Sequence, residues 1–477
     1  MWDTAEFQAV GAVLGIAHPT GYPTYTLLAW LASAVLQPFG NEALRANLLS
    51  ALLVAGGSAL AAWIVAQLTR RAIAGAAAGA ALAVTTVAWS VGVRADPHAL
   101  HLLMVALLLL LLVGWGERWR ADPAGKSGDG WLLAAAVVFG VSLGNHALTA
   151  LLAPGIAVYV LAIAPRLPLD RPRLVAACTV ALIGVTVALY AYLPIRAAME
   201  PPLNYGDPQN WENFRYVVFG EQFRGSFGEF PSLGAAFEQV VQRTVGELGL
   251  IAGLALVGLV AAWRRWPALV ALLAFWFGLT WLFALGYDNA DIERYHLGPT
   301  LAVAVLGGLG GAALWDLAER AWLHASSRLA GWRPRAGGLL LAALATVVLL
   351  GPTLALVPQR FDDLDDSDYT FGRDWLEEVL AVLEPDAVVV SWWSFSTPLW
   401  YAQYVEGRRA DVWVVDDRTR LDEDLGSPED VIDRHLGERP VYLIRLSRDL
   451  PNFEDRYRLR PVTSDGAGQV FLVEGRH

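Results

Sequence analysis

The sequence predicts a polytopic α-helical membrane protein of about ten spans plus a juxtamembrane helix, ending in a small α/β domain outside the membrane. Three observations carry that reading. Of 477 residues, 55% are hydrophobic and 17% charged, with a mean hydropathy of +0.42, which is too apolar for a water-soluble domain of this size. Apolar runs of about the length that hydrocarbon demands recur up to residue 358. Beyond that point the runs shorten to strand length.

The runs cover residues 46–69, 71–93, 98–114, 131–144, 147–164, 174–194, 246–263, 267–286, 297–317 and 337–358. The stretch from Tyr22 to Leu36 is shorter and follows Pro19, Gly21 and Pro23, so it reads as a re-entrant or juxtamembrane helix. The expected division is a first extracytoplasmic loop with juxtamembrane helices over 1–45, a transmembrane domain over 46–358 and an α/β domain over 359–477. Lys and Arg set the orientation. Arg70-Arg71, the loop from Arg118 to Lys126, Arg166 with Arg171 and Arg173, Arg264-Arg265, and Arg320 with Arg328, Arg333 and Arg335 fall in every second loop. Those loops are assigned to the cytoplasm. The others face outward: 1–45, 94–97, the turn at Asn145-His146, 195–245, 287–296 and everything after 358. An integral protein of a bacterial cytoplasmic membrane is expected, with its chemistry and C-terminal domain on the extracytoplasmic face.

In the C-terminal region, strand-length runs at 387–390, 412–415 and 441–444 alternate with polar helical stretches at 371–383 and 428–436. The acidic segment 362–368 reads as a solvated linker, since the glycine and terminal glutamate of a calcium loop are misplaced. The net charge of −11 is dispersed and no basic aromatic patch occurs, so nucleic acid is not an expected partner. A single cysteine, Cys178, excludes an intramolecular disulfide and a thiolate metal site. No internal repeat is evident, which weighs against the alternative of a transporter or flippase for a lipid-linked or anionic substrate.

The outward loops hold the candidate chemistry. Asp3 and Glu6 at i, i+3 would share one face of a helical turn, where burial can separate two carboxyl pKa values for acid/base work; capping an interfacial helix is the plainer reading. His18-Pro19-Thr20-Gly21-Tyr22-Pro23 forms a rigid entry to an apolar helix, able to fix His18 and Tyr22 for catalysis or simply to turn the chain. Arg94, Asp96, His98 and His101 stand where a span ends, at a depth where ionisable groups line cavities or cap helices. His146 lies between two apolar runs as a ligand or a satisfied core histidine. Arg196, Arg224 and Arg294 are candidate phosphate clamps or interfacial anchors, because a guanidinium fork binds phosphate bidentately. Asp207 and Glu293 occupy the same loops. The carboxylates offer hard ligands for a divalent ion, but no tight spacing defines a site, so no metal or cofactor is expected. Trp392, Trp393, Trp400 and Trp413 could bind a partner, stack on sugar or fill a core.

Taken in order, several segments resemble a family of membrane proteins long labelled a domain of unknown function and related to transmembrane protein 260, a protein O-mannosyltransferase. They are Asp3-x-x-Glu6-Phe7, Leu14-Gly15-Ile16-x-His18-Pro19-x-Gly21-Tyr22-Pro23, Ala46-Asn47-Leu48-Leu49-Ser50, Gly144-Asn145-His146, Leu193-Pro194-Ile195-Arg196 and Asn204-Tyr205-Gly206-Asp207-Pro208, with Tyr401-x-x-Tyr404-Val405-Glu406-Gly407-Arg408-Arg409-x-Asp411-Val412 in the tail. The resemblance implies a GT-C glycosyltransferase drawing a sugar, mannose or another hexose, from a polyprenyl-phosphate donor. The acceptor would be a hydroxyl on protein, lipid or glycan at the outer face. It further implies inversion at the anomeric carbon, with Asp3 as general base and Glu6 in reserve. Family members carry a transmembrane helix ahead of the Asp-x-x-Glu loop; here either the following helices translocate the N-terminus or such a helix precedes Met1. The chain also has Asp96-Pro97-His98 where the family favours Glu-Val-Tyr, and Thr20 in place of a second proline.

Overall fold

The structure, a computed structural model, describes residues 2–326 and 334–477. Arg328 and Arg333 of the expected cytoplasmic loop lie outside the described residues. Each of the ten apolar runs falls in helix. Six helices are long and apolar enough to cross a membrane: Glu42–Thr69, Pro97–Ala121, Pro172–Ala197, Pro267–Gly286, Ile292–Ser326 and Gly337–Leu364. Two runs are bent pairs, Ala72–Ala83 with Thr86–Gly92 at 67° and Leu233–Leu248 with Leu250–Arg265 at 110°, which bring the number to eight if each pair is one span. The remaining two, Asp129–Leu143 and Ala147–Ile163, are shorter apolar helices. The juxtamembrane helix is Pro23–Val35.

The bends have local causes. Thr85 caps the second half of its pair by accepting from the Ala88 amide, a bond that replaces one the helix interior would have made. Gly249 takes a φ of 52° at the sharper bend, in the left-handed region that glycine enters without strain. Arg360 then satisfies carbonyls freed at both breaks, donating to Val84, to Gly246 at 2.8 Å and to Glu247 at 2.9 Å. The Glu247 carboxylate accepts from the Thr86 amide at 2.7 Å and lies 3.6 Å from Arg360. One buried arginine thus replaces the water that broken helices would otherwise need.

The described chain divides into two compact units. One comprises Met1–Leu49, Tyr190–Glu221 and Asp365–His477; the other comprises Ser50–Leu189 and Gln222–Leu364. In the second, the apolar helix Pro172–Tyr190 buries none of its residues, as suits a surface that faces lipid rather than water.

The first unit contains a five-stranded sheet. Strands β1 (Val388–Val390), β2 (Trp413–Val415), β3 (Val441–Ile444), β4 (Tyr457–Pro461) and β5 (Val470–Arg476) run in the order β2-β1-β3-β5-β4. β1 pairs parallel with β2 and β3, while β5 is antiparallel to β3 and β4. β1 and β3 are buried along their whole length, which is why they read as unbroken aliphatic runs rather than alternating ones. Val388, Val390, Val415, Ile432, Val441 and Leu443 form their shared core, each worth about 1.5–3 kcal/mol when withdrawn from water. β4 and β5 were not apparent from the sequence: the edge strand Tyr457-Arg458-Leu459-Arg460-Pro461 is mostly polar and outward-facing. Helix Pro428–His435 starts with a reciprocal cap between Ser427 and Asp430.

Two further segments of the first unit pair with each other outside this sheet. Ile16 pairs with Leu203 and Tyr205 through Ile16 N–H to Leu203 O at 2.7 Å and Tyr205 N–H to Ile16 O at 3.2 Å. A Cβ on Gly15 would come within 2.9 Å of the Leu203 carbonyl oxygen, so the close approach requires glycine. Helix Trp2–Val10 packs against helix Trp393–Tyr404, which follows β1 directly.

Candidate functional site

In the first unit, Asp3 and Glu6 lie on one helix, Trp2–Val10, with Asp3 in its first turn. The i, i+3 spacing therefore does put both carboxylates on a helical turn. Glu6 is 3% exposed and His18 9%. The Glu6 carboxylate takes both donors that His18 offers on its near side, the backbone amide at 2.8 Å and ring Nδ1 at 2.5 Å. With Nδ1 bonded to a carboxylate, the far nitrogen Nε2 is turned to Tyr22, whose hydroxyl is 3.4 Å away. An acid that orients an imidazole so that its other nitrogen can handle a proton is a recurring catalytic arrangement. Phe7 forms the apolar floor, its ring 5.4 Å from His18 and 5.2 Å from Tyr22.

Asp3 accepts a hydrogen bond from the indole Nε1 of Trp393 at 3.2 Å. Ligand-type atoms of Asp3, Glu6 and His18 all lie within 4.8 Å of one another. Two carboxylates and an imidazole are donors a divalent ion accepts, but Glu6 and His18 already satisfy each other, so an ion would have to open that bond.

Arg196 and Asp207 belong to the same unit and hold backbone. Arg196 donates to the carbonyls of Leu14 at 2.6 Å and Val13 at 3.0 Å, pinning the loop that runs from the Asp3–Glu6 helix to His18. Asp207 accepts from Asn204 at 2.9 Å and Gln209 at 3.0 Å, fixing the turn of the Asn204-Tyr205-Gly206-Asp207-Pro208 segment. Beside it, the Arg418 guanidinium lies over Tyr205 and Tyr216, 4.4 and 4.8 Å from their centroids.

The second unit gathers another group. Asp96 caps helix Pro97–Ala121, accepting from the amide and Nδ1 of His98, both at 2.9 Å. Its other oxygen faces Arg294 at 3.3 Å and Arg94 at 3.6 Å. Burial works to raise the Asp96 carboxyl, but Arg294, His98 and Arg94 outweigh it and hold the group well below the usual carboxylate range. The His98 and His146 rings lie 4.5 Å apart, tilted by 56°, with Tyr295 5.0 Å from His98. His146 Nδ1 accepts from the Leu148 amide at 3.1 Å, and burial keeps its ring well below the ordinary histidine pKa, so it stands as a neutral acceptor. Arg94, Asp96, His146 and Arg294 are thus brought together in one buried cluster. Glu293 instead pairs with Arg243 at 3.1 Å, and Arg224 is exposed.

Sequence reasoning did not connect Trp393 with Asp3 or Tyr295 with the histidines. Phe7 and Tyr205 stood inside the quoted motifs without an assigned role. Nothing in the sequence signals the Trp393 bond, which joins positions 390 residues apart.

The fold is shared with solved structures. The crystal structure of ArnT from Cupriavidus metallidurans bound to undecaprenyl phosphate matches with a TM-score of 0.63 over 98% of this chain and 92% of that one, at 15% identity. The archaeal oligosaccharyltransferase AglB from Archaeoglobus fulgidus, in complex with an inhibitory peptide and a dolichol-phosphate, matches with a TM-score of 0.52 over 100% of this chain and 72% of that one, at 13% identity. At these identities the likeness is one of fold. Residues 3–167 match the family model of the protein O-mannosyl-transferase TMEM260 N-terminal domain. Mouse protein O-mannosyl-transferase TMEM260 (Mus musculus) is 28% identical over 443 residues, which are 87% of this chain and 59% of that protein. The chain is similar to TMEM260, as its motifs indicated, and spans about three-fifths of that protein's length.

Proposed function

We propose that the chain is a GT-C glycosyltransferase that moves a hexose such as mannose from a polyprenyl-phosphate donor to an acceptor hydroxyl at the outer membrane face. The observation that carries this reading is the grouping of Asp3, Glu6 and His18 within 4.8 Å, in a chain whose N-terminal third matches an O-mannosyl-transferase family model. In the proposed step the acceptor oxygen bonds to C1 of the sugar as the bond from C1 to the phosphate oxygen breaks on the opposite face, inverting C1. The hydroxyl proton passes to the Asp3 carboxylate and the polyprenyl phosphate departs with the electron pair. Glu6 orients His18, whose Nε2 with Tyr22 lines the acceptor side. Cations offset the charge that develops on the leaving phosphate; within the unit that holds Asp3, Arg196 is assigned that role on its chemistry, with Asp207 as a further substrate contact. The step is written without a metal because Glu6 and His18 are bonded to each other. A protein, lipid or glycan can supply the acceptor hydroxyl.

The test is transfer of labelled mannose from a polyprenyl-phosphate carrier in membranes containing the chain, compared with Asp3→Asn. Transfer that disappears in the folded variant supports the reading. Undiminished transfer removes Asp3 as base, and no transfer by folded wild type from any polyprenyl-phosphate hexose turns the reading toward transport.

A further inference from the structure

We infer that Trp393, at the carboxyl end of β1, is a positioning residue for Asp3, so that the α/β domain is a working part of the site rather than an appended module. The inference rests on the proposed role of Asp3 as base. Four contacts converge on this one side chain. Its indole N–H donates to Asp3 Oδ1 at 3.2 Å. Its ring meets His18 edge-on at 5.9 Å, and two further rings, Tyr205 at 5.7 Å and Trp400 at 5.8 Å, brace it from other elements. Trp392, its extended neighbour, begins the helix that packs on the Asp3–Glu6 helix.

The backbone explains why this residue can act so far from Asp3 in sequence. β1 is parallel to strands on both sides, and the chain leaves its carboxyl end as Ser391-Trp392-Trp393 before entering helix. Residues there are held by the sheet on one side and the helix on the other, and this edge of a parallel sheet is where α/β folds place functional groups. A rigid indole with a single donor has one thing to offer an aspartate, a fixed direction. A base that must meet an acceptor proton within hydrogen-bond reach gains from a partner that sets its rotamer. A hydrogen bond to the ionised form also favours that form. Glu6 and His18, which are bonded to each other, both lie within 4.8 Å of Asp3; to these Trp393 adds a neutral donor that directs the carboxylate.

Trp393→Phe keeps a ring against His18, Tyr205 and Trp400 and deletes the N–H. With the full chain and mannosyl polyprenyl phosphate as donor, we expect kcat to fall about 10–100-fold with the donor KM nearly unchanged. The acid limb of the kcat/KM profile should move up by about one pH unit, because loss of a hydrogen bond to the carboxylate raises its pKa. Trp400→Phe, which trims a ring packed 5.8 Å from Trp393 and leaves the Trp393 N–H intact, should leave the limb in place. A Trp393→Phe profile superimposing on wild type overturns the inference while leaving Asp3 as base; full transfer by Asp3→Asn overturns both. Independently of turnover, and so of whether Trp393→Phe folds well, the indole signal of Trp393 in ¹⁵N-tryptophan-labelled protein should shift in Asp3→Asn. No tryptophan indole shifting on that substitution overturns the inference.

Discussion

Glu6 and Asp96 make an instructive pair. Each is a carboxylate with 3% or less of its surface exposed, and each bonds a histidine at both the backbone amide and ring Nδ1. What differs is the remainder of their surroundings. Asp96 also faces two guanidiniums, Arg294 and Arg94, which fix it as a permanent anion. Among the described residues no arginine is bonded to Glu6, whose charge is met by His18 alone. The same local motif, an acid that accepts twice from a histidine, is therefore backed by two guanidiniums in one unit and, among the described residues, by none in the other.

The largest expected effect comes from breaking the guanidinium-backed motif. Asp96→Ala takes one carboxylate from the buried Arg294, leaving Asp291 at 3.7 Å, and should cost about 3–5 kcal/mol of stability, seen as a lower midpoint of thermal unfolding in detergent. Because the folded pKa of Asp96 is depressed, its stabilisation is fully present above the unfolded carboxylate pKa and fades only as pH falls below it. Wild-type unfolding should thus show no Asp96-dependent change between pH 5 and 8; a step in that window absent from the variant would break the comparison.

Next comes the open side. Asp3→Asn should reduce sugar transfer by about 10³-fold with unfolding unchanged, the reverse of the pattern expected for Asp96. Glu6→Gln, which weakens the orientation of His18 without removing the side chain, should reduce transfer by about 10²-fold. A Glu6→Gln protein that unfolds early yet turns over normally would place Glu6 with Asp96 as a structural residue.

The smallest effect isolates burial from charge. Asp416 is 2% exposed and accepts from the Arg418 and Thr419 amides, with no guanidinium to offset its charge. Burial pushes its carboxyl up to about 6. A raised folded pKa means that stability is lost as pH rises from about 4 to 6 and stays lost above. Asp416→Asn, which retains an acceptor for those amides, should therefore stabilise by about 2 kcal/mol at pH 8, and the gain should vanish toward pH 4.

Much of this molecule was present in the sequence. Apolar runs became helices because a bilayer leaves the backbone few other ways to satisfy itself, and the aliphatic runs at 387–390, 412–415 and 441–444 became buried strands for a similar reason. Asp3, Glu6 and His18 were legible as candidates because their spacing is short and local. The breaks were not legible: a run such as 71–93 is mostly apolar, and two of the groups that satisfy the bend at Thr85 come from far along the chain, Arg360 at 276 positions from Val84 and Glu247 at 161 from Thr86. Nor was the edge strand Tyr457–Pro461, whose polar pattern differs little from a loop.

What the sequence by itself determined, then, was the solvent each segment requires and the chemistry each side chain can offer, since both are properties of residues and near neighbours. Only the tertiary structure decided which carboxylate meets a guanidinium and which an indole. Those partners stand 390 positions apart for Asp3 and Trp393 and 198 for Asp96 and Arg294. Contacts across such separations are selected by the packing of whole elements, and no local pattern of residues encodes them.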